Sequence, residues 1–272
     1  MNPRLKRAVL RMISPLDRLL LIVNGKRGLP PLHLRWDVGP LHGFEASGAE
    51  FRVYLKLFAA LGTESRILDI GCGCGQIALA IRNELGSKGA YVGCDISQPS
   101  ISWCRRHISV PDPRFTFHHM DIHNGRYNPH GTISARGFHF PRGWGTFDII
   151  LLKSVFTHMR RDEVVNYLGQ LPTLLRKDGK CLATFFVLND MTRALGRAGA
   201  SAIEFSPGSD GAFYANPDLP EGIVAYEEDS LRKILREAGL RLGRPIRYGR
   251  WSGRPDGLSH QDILVLSQST AR

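Results

Sequence analysis

The sequence predicts an α/β fold with a doubly wound, mostly parallel sheet, and three observations lead to it. Short apolar runs alternate with helix-length segments along most of the chain. A glycine-rich turn, LDIGCGCGQIA at residues 68–78, follows the first apolar run. The 272 residues are also enough for one such domain with an appendage. Strands separated by helices are joined by right-handed crossovers, which put helices on both faces of a parallel sheet.

The predicted elements follow one another in a regular order. A first helix covers residues 45–61 and stops at Gly62. Five strands are then expected, at residues 66–70, 90–96, 114–121, 147–154 and 179–188. The helices between them are expected at residues 76–85, 101–108 and 161–176. After a capped helix at 227–239, residues 241–249 and 261–268 are expected to close a sheet of seven strands.

Residues 1–44 are predicted to form a basic, amphipathic N-terminal arm ahead of the main domain, residues 45–272. Residues 4–13 have the spacing of a helix with one apolar face. Ser14 and Pro15 then predict an N-cap and first helical position of a second short helix, which runs to Val23. We favour an arm that covers one side of the ligand site. A peripheral contact with a membrane surface and a transit peptide remain open alternatives.

Composition excludes a membrane-spanning helix, whereas the net charge leaves a contact with nucleic acid or anionic lipid open. No apolar run approaches the ~20 residues that a membrane span requires. The five cysteines form no metal-like pair of pairs, and we interpret them as reduced thiols of a cytoplasmic protein. The net charge of +11 is concentrated at the two ends of the chain. It indicates either a contact with nucleic acid or anionic lipid, or simply a solvated basic surface.

The spacing of the glycine-rich turn narrows the choice of ligand. Gly71, Gly73 and Gly75 stand on alternate positions, and Gln76 occupies the place where a dinucleotide fingerprint requires its third glycine. A phosphate-binding P-loop is excluded because no Gly-Lys-Ser/Thr follows. What remains is a tight turn that lets the backbone approach a ligand closely. The acid that precedes the turn, Asp69, is a candidate to orient that ligand.

A second acid, Asp95, ends the second predicted strand, where a carboxylate can bind both hydroxyls of a ribose. At this point the chain resembles the class I S-adenosylmethionine-dependent methyltransferases. Residues 69–75 match their acid-x-Gly-x-Gly-x-Gly motif, and Asp95 matches their second motif. The resemblance covers residues 45–190 and, more loosely, 227–267. It implies the class I methyltransferase fold and S-adenosylmethionine as cofactor.

The resemblance also implies a set of cofactor-binding residues. Asp121, at the end of the third strand, fits the position that contacts adenine, and Ile122 is expected to pack beside it. Lys153 and Ser154 end the fourth strand and are expected to shape the pocket, although Lys153 has the alternative of pairing with a surface acid. The full cofactor set comprises Asp69, Gly71, Cys72, Gly73, Gly75, Asp95, Ile96, Asp121, Ile122, Lys153 and Ser154.

Two residues are candidates for the chemistry of methyl transfer. His158, four residues past the fourth strand, is a candidate base for a hydroxyl acceptor, with packing beneath the cofactor as the alternative. Asn189, at the tip of the fifth strand, is a candidate to hold the acceptor. We expect no metal site, because His118 and His119 point to opposite faces of a strand.

The acceptor is expected to bind near two insertions, residues 124–146 and 189–226, which we predict to be substrate lids. Tyr226 and Trp251 are candidate lid aromatics, with a place in the core as the alternative. The chain also resembles a bacterial subgroup that carries SVFTHM and WSGR…QDI. That likeness favours O-methylation of a small molecule, sugar or lipid-linked glycan. An RNA methyltransferase and a cofactor-binding domain without turnover are the alternatives.

Overall fold

A computed structural model describes residues 3–26, 28–39 and 43–269, with residues 3–7 described by their backbone alone. The remainder of the predicted arm, residues 1, 2, 27 and 40–42, lies outside the described residues. The described residues form eleven strands: β1 Arg66–Ile70, β2 Ala90–Asp95, β3 Phe115–His119, β4 Phe147–Leu152, β5 Leu175–Phe185, β6 Val187–Leu188, β7 Ser206–Pro207, β8 Phe213–Tyr214, β9 Val224–Glu227, β10 Leu240–Leu242 and β11 Asp262–Gln268.

Seven of these strands form the main sheet, in the order β10-β11-β5-β4-β1-β2-β3. The five strands β1 to β5 are parallel, whereas β11 runs antiparallel to β5 and to β10. The strand order reverses between β1 and β4, so the carboxyl ends of these two strands border the crevice where ligands bind in open α/β sheets. The predicted seven-stranded, mostly parallel sheet is confirmed.

Eight α-helices accompany the strands in the described part of the chain: α1 Pro3–Val23, α2 Leu32–Arg35, α3 Phe44–Ala59, α4 Gln76–Ile81, α5 Gln98–Cys104, α6 Arg161–Leu174, α7 Asp190–Arg197 and α8 Glu228–Glu237. Side chains of β1 alternate between the two faces of the sheet. Ile67 packs in a cluster with α3, α4 and α5, whereas Leu68 and Ile70 pack in a second cluster with α6 and α8. Both faces are therefore covered, as a doubly wound sheet requires.

The N-terminal helix corrects the prediction of two short helices. α1 runs without a break through Pro15, although proline lacks the amide that the helix ladder needs. The Ser14 hydroxyl does not cap a second helix; it donates to the carbonyl of Leu10 at 2.7 Å and lies 3.2 Å from Nδ1 of His33. Asp17, about one turn later, binds Arg35 of α2. Contacts with α2 before and after Pro15 hold the two halves of α1 in one continuous helix. The periodicity of the sequence does not predict these contacts.

The second predicted insertion folds into a small sheet. After Phe185 the chain leaves the main sheet, and β6 pairs with β9 in a second sheet of order β6-β9-β8-β7. Tyr226 and Trp251 are buried, with 0% and 2% of their surface exposed. Both aromatic residues therefore belong to the core. Within the described residues, no helix has the length and apolar character needed to cross a bilayer.

Candidate functional site

The glycine-rich turn between β1 and α4 needs glycine for two physical reasons. Gly71, Gly73 and Gly75 have φ angles of +78°, +52° and +80°, a region that residues with a Cβ rarely adopt. A Cβ on Gly73 would lie 2.3 Å from Cγ1 of Val38, and one on Gly71 would lie 2.4 Å from Cγ2 of Val155. The turn is therefore packed directly between the N-terminal arm and the segment that follows β4.

Asp95, at the carboxyl end of β2, is fixed to this turn by its side chain. One carboxylate oxygen accepts the Gly73 amide at 2.8 Å, and the other accepts the Ser97 amide at 2.7 Å. Burial raises the pKa of Asp95, and the two backbone donors oppose that shift. Each oxygen retains a lone pair, so the carboxylate can accept further hydrogen bonds from a pair of ribose hydroxyls.

A cavity of about 450 Å³ opens beside the turn, at the carboxyl ends of β1, β2 and β4. Its lining is rich in acids although the whole chain carries a net charge of +11. The charged lining residues are the acids Asp37, Glu50, Asp69, Asp95 and Glu163 and the cations Arg126 and Lys153. Carboxylates attract the sulfonium and ammonium groups of S-adenosylmethionine and repel the phosphates of a dinucleotide. The lining therefore fits this cofactor.

Beneath the cavity, two groups of opposite charge are buried together. Asp69 accepts a hydrogen bond from the Tyr91 hydroxyl, and burial raises the pKa of this carboxyl to about 7. Burial lowers the pKa of Lys153 to about 8, while the charge of Asp69 opposes that shift. The Lys153 Nζ donates to Oε1 of Gln76 at 2.5 Å and lies 5.1 Å from the ring centre of Phe51. Lys153 therefore forms part of the cavity floor and does not pair with a surface acid.

Ser154 lines the cavity in an unusual backbone conformation, with φ at +57°. Its amide donates to the Thr184 hydroxyl at 2.8 Å, and its own hydroxyl donates to Oε1 of Gln261 at 2.9 Å. Thr184 also donates to that Gln261 oxygen, at 2.6 Å. Strain of this kind persists only where surrounding contacts enforce it. Gln261 is a cavity residue that the sequence analysis missed, because nothing local marks the start of a closing strand as part of a site.

His158 lines the cavity opposite the glycine-rich turn and has partners on both ring nitrogens. Nδ1 lies 3.2 Å from the carbonyl oxygen of Glu221, which can only accept, so Nδ1 carries the proton. Nε2 then has its lone pair free to accept, and the Tyr127 hydroxyl lies 3.4 Å from it. Burial and the nearby charge of Arg126 lower the pKa of His158 to about 4. The imidazole is therefore neutral at pH 7.

Three predicted residues lie outside the cavity lining in the described part of the chain. Asp121 accepts a hydrogen bond from the Thr132 hydroxyl at 2.6 Å, so its carboxylate holds the following loop, and it does not line the cavity. Its neighbours Met120 and Ile122 do line the cavity. Gly75 caps α4, where an added Cβ would lie 2.6 Å from Cδ1 of Ile108. The adenine contact expected of Asp121 stays a prediction.

Asn189, the third of these residues, is the N-cap of α7. Its side-chain oxygen accepts the Thr192 amide at 3.0 Å, and its side-chain amide donates to Glu228 at 2.9 Å. Both ends of the side chain are therefore engaged in holding α7 and α8 together. The structure does not bring Asn189 to the acceptor end of the cavity.

The cavity wall includes residues of the N-terminal arm and of the first insertion, both expected near the ligand site, and residues of α3, which were not expected there. The N-terminal arm contributes residues 36–39, and α3 contributes Ser47, Glu50 and Phe51. The first insertion contributes Asn124, Arg126, Tyr127 and Ala135 to the wall. The second insertion, residues 189–226, lies wholly within the described residues and contributes no lining residue. The second insertion acts behind the wall, where the Gly222 carbonyl accepts from Arg126 at 2.7 Å. It therefore supports the wall without lining the cavity.

A protein-family profile described as "Methyltransferase domain" matches residues 61–239, which is more than half of the chain. Similar solved structures include 1,6-didemethyltoxoflavin-N1-methyltransferase from Burkholderia thailandensis, with bound S-adenosylhomocysteine. That enzyme is 18% identical, with a TM-score of 0.53 and coverage of 99% of this chain and 92% of that one. A second similar structure, the mitomycin 7-O-methyltransferase MmcR, is 14% identical, with a TM-score of 0.51 and coverage of 84% of this chain and 54% of that one.

A third similar structure is an S-adenosylmethionine-dependent methyltransferase from Clostridium acetobutylicum. It is 11% identical, with a TM-score of 0.53 and coverage of 83% of this chain and 92% of that one. Identities this low establish the shared fold, and the family profile establishes the family. The acid-lined cavity beside the glycine-rich turn agrees with the cofactor that these proteins use. The chain belongs to the methyltransferase-domain family and is an S-adenosylmethionine-dependent methyltransferase.

Proposed function

We propose that the protein methylates a hydroxyl group of a small molecule, a sugar or a lipid-linked glycan, with His158 as the general base. The observation that carries this proposal is the hydrogen bonding of His158. Its Nδ1 proton is committed to the Glu221 carbonyl at 3.2 Å, so the Nε2 lone pair is available to a proton donor in the cavity. A neutral imidazole with an unprotonated nitrogen can accept the proton of an attacking hydroxyl, although its lowered pKa makes it a weaker base than a solvated histidine.

The cofactor end of the cavity is assigned to the residues around the glycine-rich turn. S-adenosylmethionine supplies a methyl group that is already activated by its sulfonium. In this proposal Asp95 binds the ribose hydroxyls, and Met120 and Ile122 pack against the adenine. The backbone of residues 71–73 borders the ligand closely, because these positions have no side chain or a buried one. Asp69 and Lys153 hold the floor of the pocket from below.

The acceptor end is assigned to the wall formed by loop 124–127, α3 and the segment that follows β4. Tyr127 and His158 lie edge to face there, with ring centres 5.2 Å apart. An acceptor hydroxyl that displaces the Tyr127 hydroxyl would donate to Nε2 of His158. Residues 36–39 of the N-terminal arm cover the turn from the opposite side and exclude water from it. Alignment and exclusion of water are the main contributions that a protein makes to displacement at an activated methyl group.

The names of two of the similar proteins bear on the acceptor. One is an O-methyltransferase of mitomycin and the other an N1-methyltransferase of 1,6-didemethyltoxoflavin, so both act on small molecules. These names support a small-molecule acceptor here and leave nitrogen as the competing acceptor atom. The hydroxyl is favoured by His158, because a neutral amine or ring nitrogen can attack a sulfonium methyl group without prior loss of a proton.

The acceptor class is tested by incubating the purified chain with methyl-labelled cofactor and separated fractions of a cell extract. We expect label in the small-molecule fraction or in the glycan and lipid fraction, in a product whose methyl group is bound to oxygen. Label in RNA would contradict the proposal, and label on nitrogen would contradict the role of His158. Transfer to no fraction, together with intact cofactor binding, would favour a domain without turnover.

The role of His158 is tested by His158→Ala, with Asn189→Ala as the matched control. We expect His158→Ala to lower kcat about 100-fold, the usual contribution of a general base, and to leave S-adenosylhomocysteine affinity within about threefold. Asn189→Ala should leave both quantities near their wild-type values, because its side chain binds Thr192 and Glu228 and does not line the cavity. Equal losses of turnover and cofactor affinity in His158→Ala would instead assign His158 to packing beneath the cofactor.

A further inference from the structure

The N-terminal helix presents a continuous apolar stripe to solvent. α1 has five large apolar side chains that are separated by four, three, one and three residues along the sequence. This spacing places all five on one side of the helix. Each is between 56% and 80% exposed; they are Met12, Leu16, Leu19, Leu20 and Val23. Val9 and Ile13 extend the same side and are also exposed. A stripe of this size is unusual on a protein surface and marks an interaction site.

The stripe cannot turn inward, because the opposite side of α1 is docked on the protein. Leu10 is buried there, with 7% of its surface exposed. Nη2 of Arg35 donates to both carboxylate oxygens of Asp17 at 2.6 Å, and Arg35 is itself buried. One turn before Asp17 along α1, the Ser14 hydroxyl lies 3.2 Å from Nδ1 of His33. These contacts fix the rotation of α1 about its own axis and hold the apolar stripe outward.

The charges of α1 indicate which kind of surface would bind the apolar stripe. The helix contains five Lys or Arg residues and a single acid, Asp17, whose carboxylate is already bound by Arg35. Arg11 and Arg18 are exposed, and helical spacing places them on the polar side of α1, away from the centre of the stripe. An anionic bilayer would accept the apolar stripe among its acyl chains, and its headgroups would attract the positive charge of these long side chains. A second copy of the chain, packed stripe to stripe, would bring the same positive charges together without an acid to balance them.

We propose that α1 is a docking surface for an anionic lipid bilayer, lying in the plane of the interface with its apolar stripe among the acyl chains. Amphipathic helices with basic residues on the polar side bind in this manner, through buried apolar area and attraction to anionic headgroups. The inference does not depend on which acceptor is methylated. Arg35 immediately precedes the cavity-wall residues 36–39, so a docked α1 would hold that wall close to the lipid surface.

The test is co-sedimentation of the full chain with vesicles of phosphatidylglycerol and phosphatidylcholine, compared with vesicles of phosphatidylcholine alone. We expect binding to the anionic vesicles and much weaker binding to the neutral ones. The pair Leu16→Gln and Leu20→Gln should reduce binding to anionic vesicles at least about tenfold. The matched control is Leu57→Gln and Val110→Gln, two apolar side chains that are 62% and 81% exposed outside α1. The control should bind like the wild type.

Charge is tested separately with Arg11→Gln and Arg18→Gln, which should lower binding to anionic vesicles about tenfold and leave the neutral vesicles unaffected. All the substituted side chains are exposed, and unchanged circular dichroism and cofactor binding would show that the fold is retained. Absence of vesicle binding by the wild type would overturn the proposal. So would a dimer, measured by light scattering, that dissociates in Leu16→Gln and Leu20→Gln, because the stripe would then bind a second copy.

Discussion

The cavity and the outer side of α1 are opposite in charge and in how firmly they are held. The cavity is lined by five acids and two cations, whereas α1 carries five basic residues and one acid. The net charge of +11 therefore describes the surface of the protein and says little about its small ligand. A basic chain can enclose a site that selects a cationic cofactor, because a site is determined by the few groups that face it.

The two regions also differ in the number of contacts that position them. Around the cavity, Asp95 accepts two backbone amides, and Ser154 is held by Thr184 and Gln261. α1 is attached mainly through Leu10 and through the two polar contacts of Ser14 and Asp17 with α2. Small substitutions in the cavity should therefore have large, local effects. Substitutions on the outer side of α1 should leave cofactor binding unchanged.

The largest effect is expected for Asp95→Ala. Loss of two charge-assisted hydrogen bonds to the ribose hydroxyls should weaken S-adenosylhomocysteine binding about 100-fold, measured by isothermal titration calorimetry. The control is Asp121→Asn, whose carboxylate binds Thr132 and does not line the cavity. That variant should change affinity by less than about threefold. An equal loss in both variants would restore the adenine contact of Asp121 that its motif position implies.

The second-largest effect is expected in the pH dependence of kcat/KM and of stability. Because burial lowers the pKa of His158 to about 4, protonation of His158 should lower kcat/KM only below about pH 5. The unfolded state binds a proton on His158 below 6.5, and the folded state does so only near 4, so the contribution of His158 to stability should decrease as the pH falls through this window. The raised pKa of Asp69 contributes in the opposite direction, so the His158 contribution is measured as the difference between wild type and His158→Gln in denaturant titrations at pH 4 to 7. The same pH dependence of stability in both proteins would contradict the burial of His158.

A smaller effect is expected at the turn itself. Gly73→Ala places a methyl group 2.3 Å from Cγ1 of Val38 and holds alanine at a φ of +52°. We expect about a tenfold loss of S-adenosylhomocysteine affinity and a destabilisation of about 1–3 kcal/mol. Adding Val38→Ala removes the contact and should recover part of the loss. If the double variant shows no recovery, the N-terminal arm does not pack on the turn as described.

The smallest effect is expected for Asn189→Ala. Removal of the N-cap of α7 should lower the free energy of unfolding by about 1 kcal/mol, measured by denaturant titration. Turnover and cofactor affinity should not change. A large fall in kcat without a change in stability would indicate instead that Asn189 holds the acceptor, as its position after the fifth strand predicted.

Local sequence patterns were sufficient for the parts of the fold that depend on neighbouring residues. The bounds of β1 match the prediction, residues 66–70, and Gly71, Gly73 and Asp95 line the cavity. These features result from strand periodicity and turn geometry, both of which operate over a few residues. Their position at the carboxyl edge of the sheet then follows from topology.

Long-range contacts account for what the sequence did not reveal. Pro15 does not end α1, because α2 holds the helix on both sides of it. Asp121 occupies the expected motif position, but Thr132 of the following loop binds its carboxylate. Gln261 reaches the cavity from near the C-terminal end of the chain, and residues 36–39 belong to the arm that was expected to cover the ligand site. No local pattern identifies the individual partners, because each is determined by how distant segments pack.

The most direct test of the central claim compares two nucleotides in calorimetric titrations of the same protein. The claim is that an acid-lined cavity within a basic chain binds a nucleoside without phosphate. S-adenosylhomocysteine is expected to bind with one molecule per chain, and NAD is expected not to bind at the same concentrations, because its phosphates would meet Asp69, Asp95 and their neighbours. Binding of NAD with equal or higher affinity, or failure of S-adenosylhomocysteine to bind, would contradict the account.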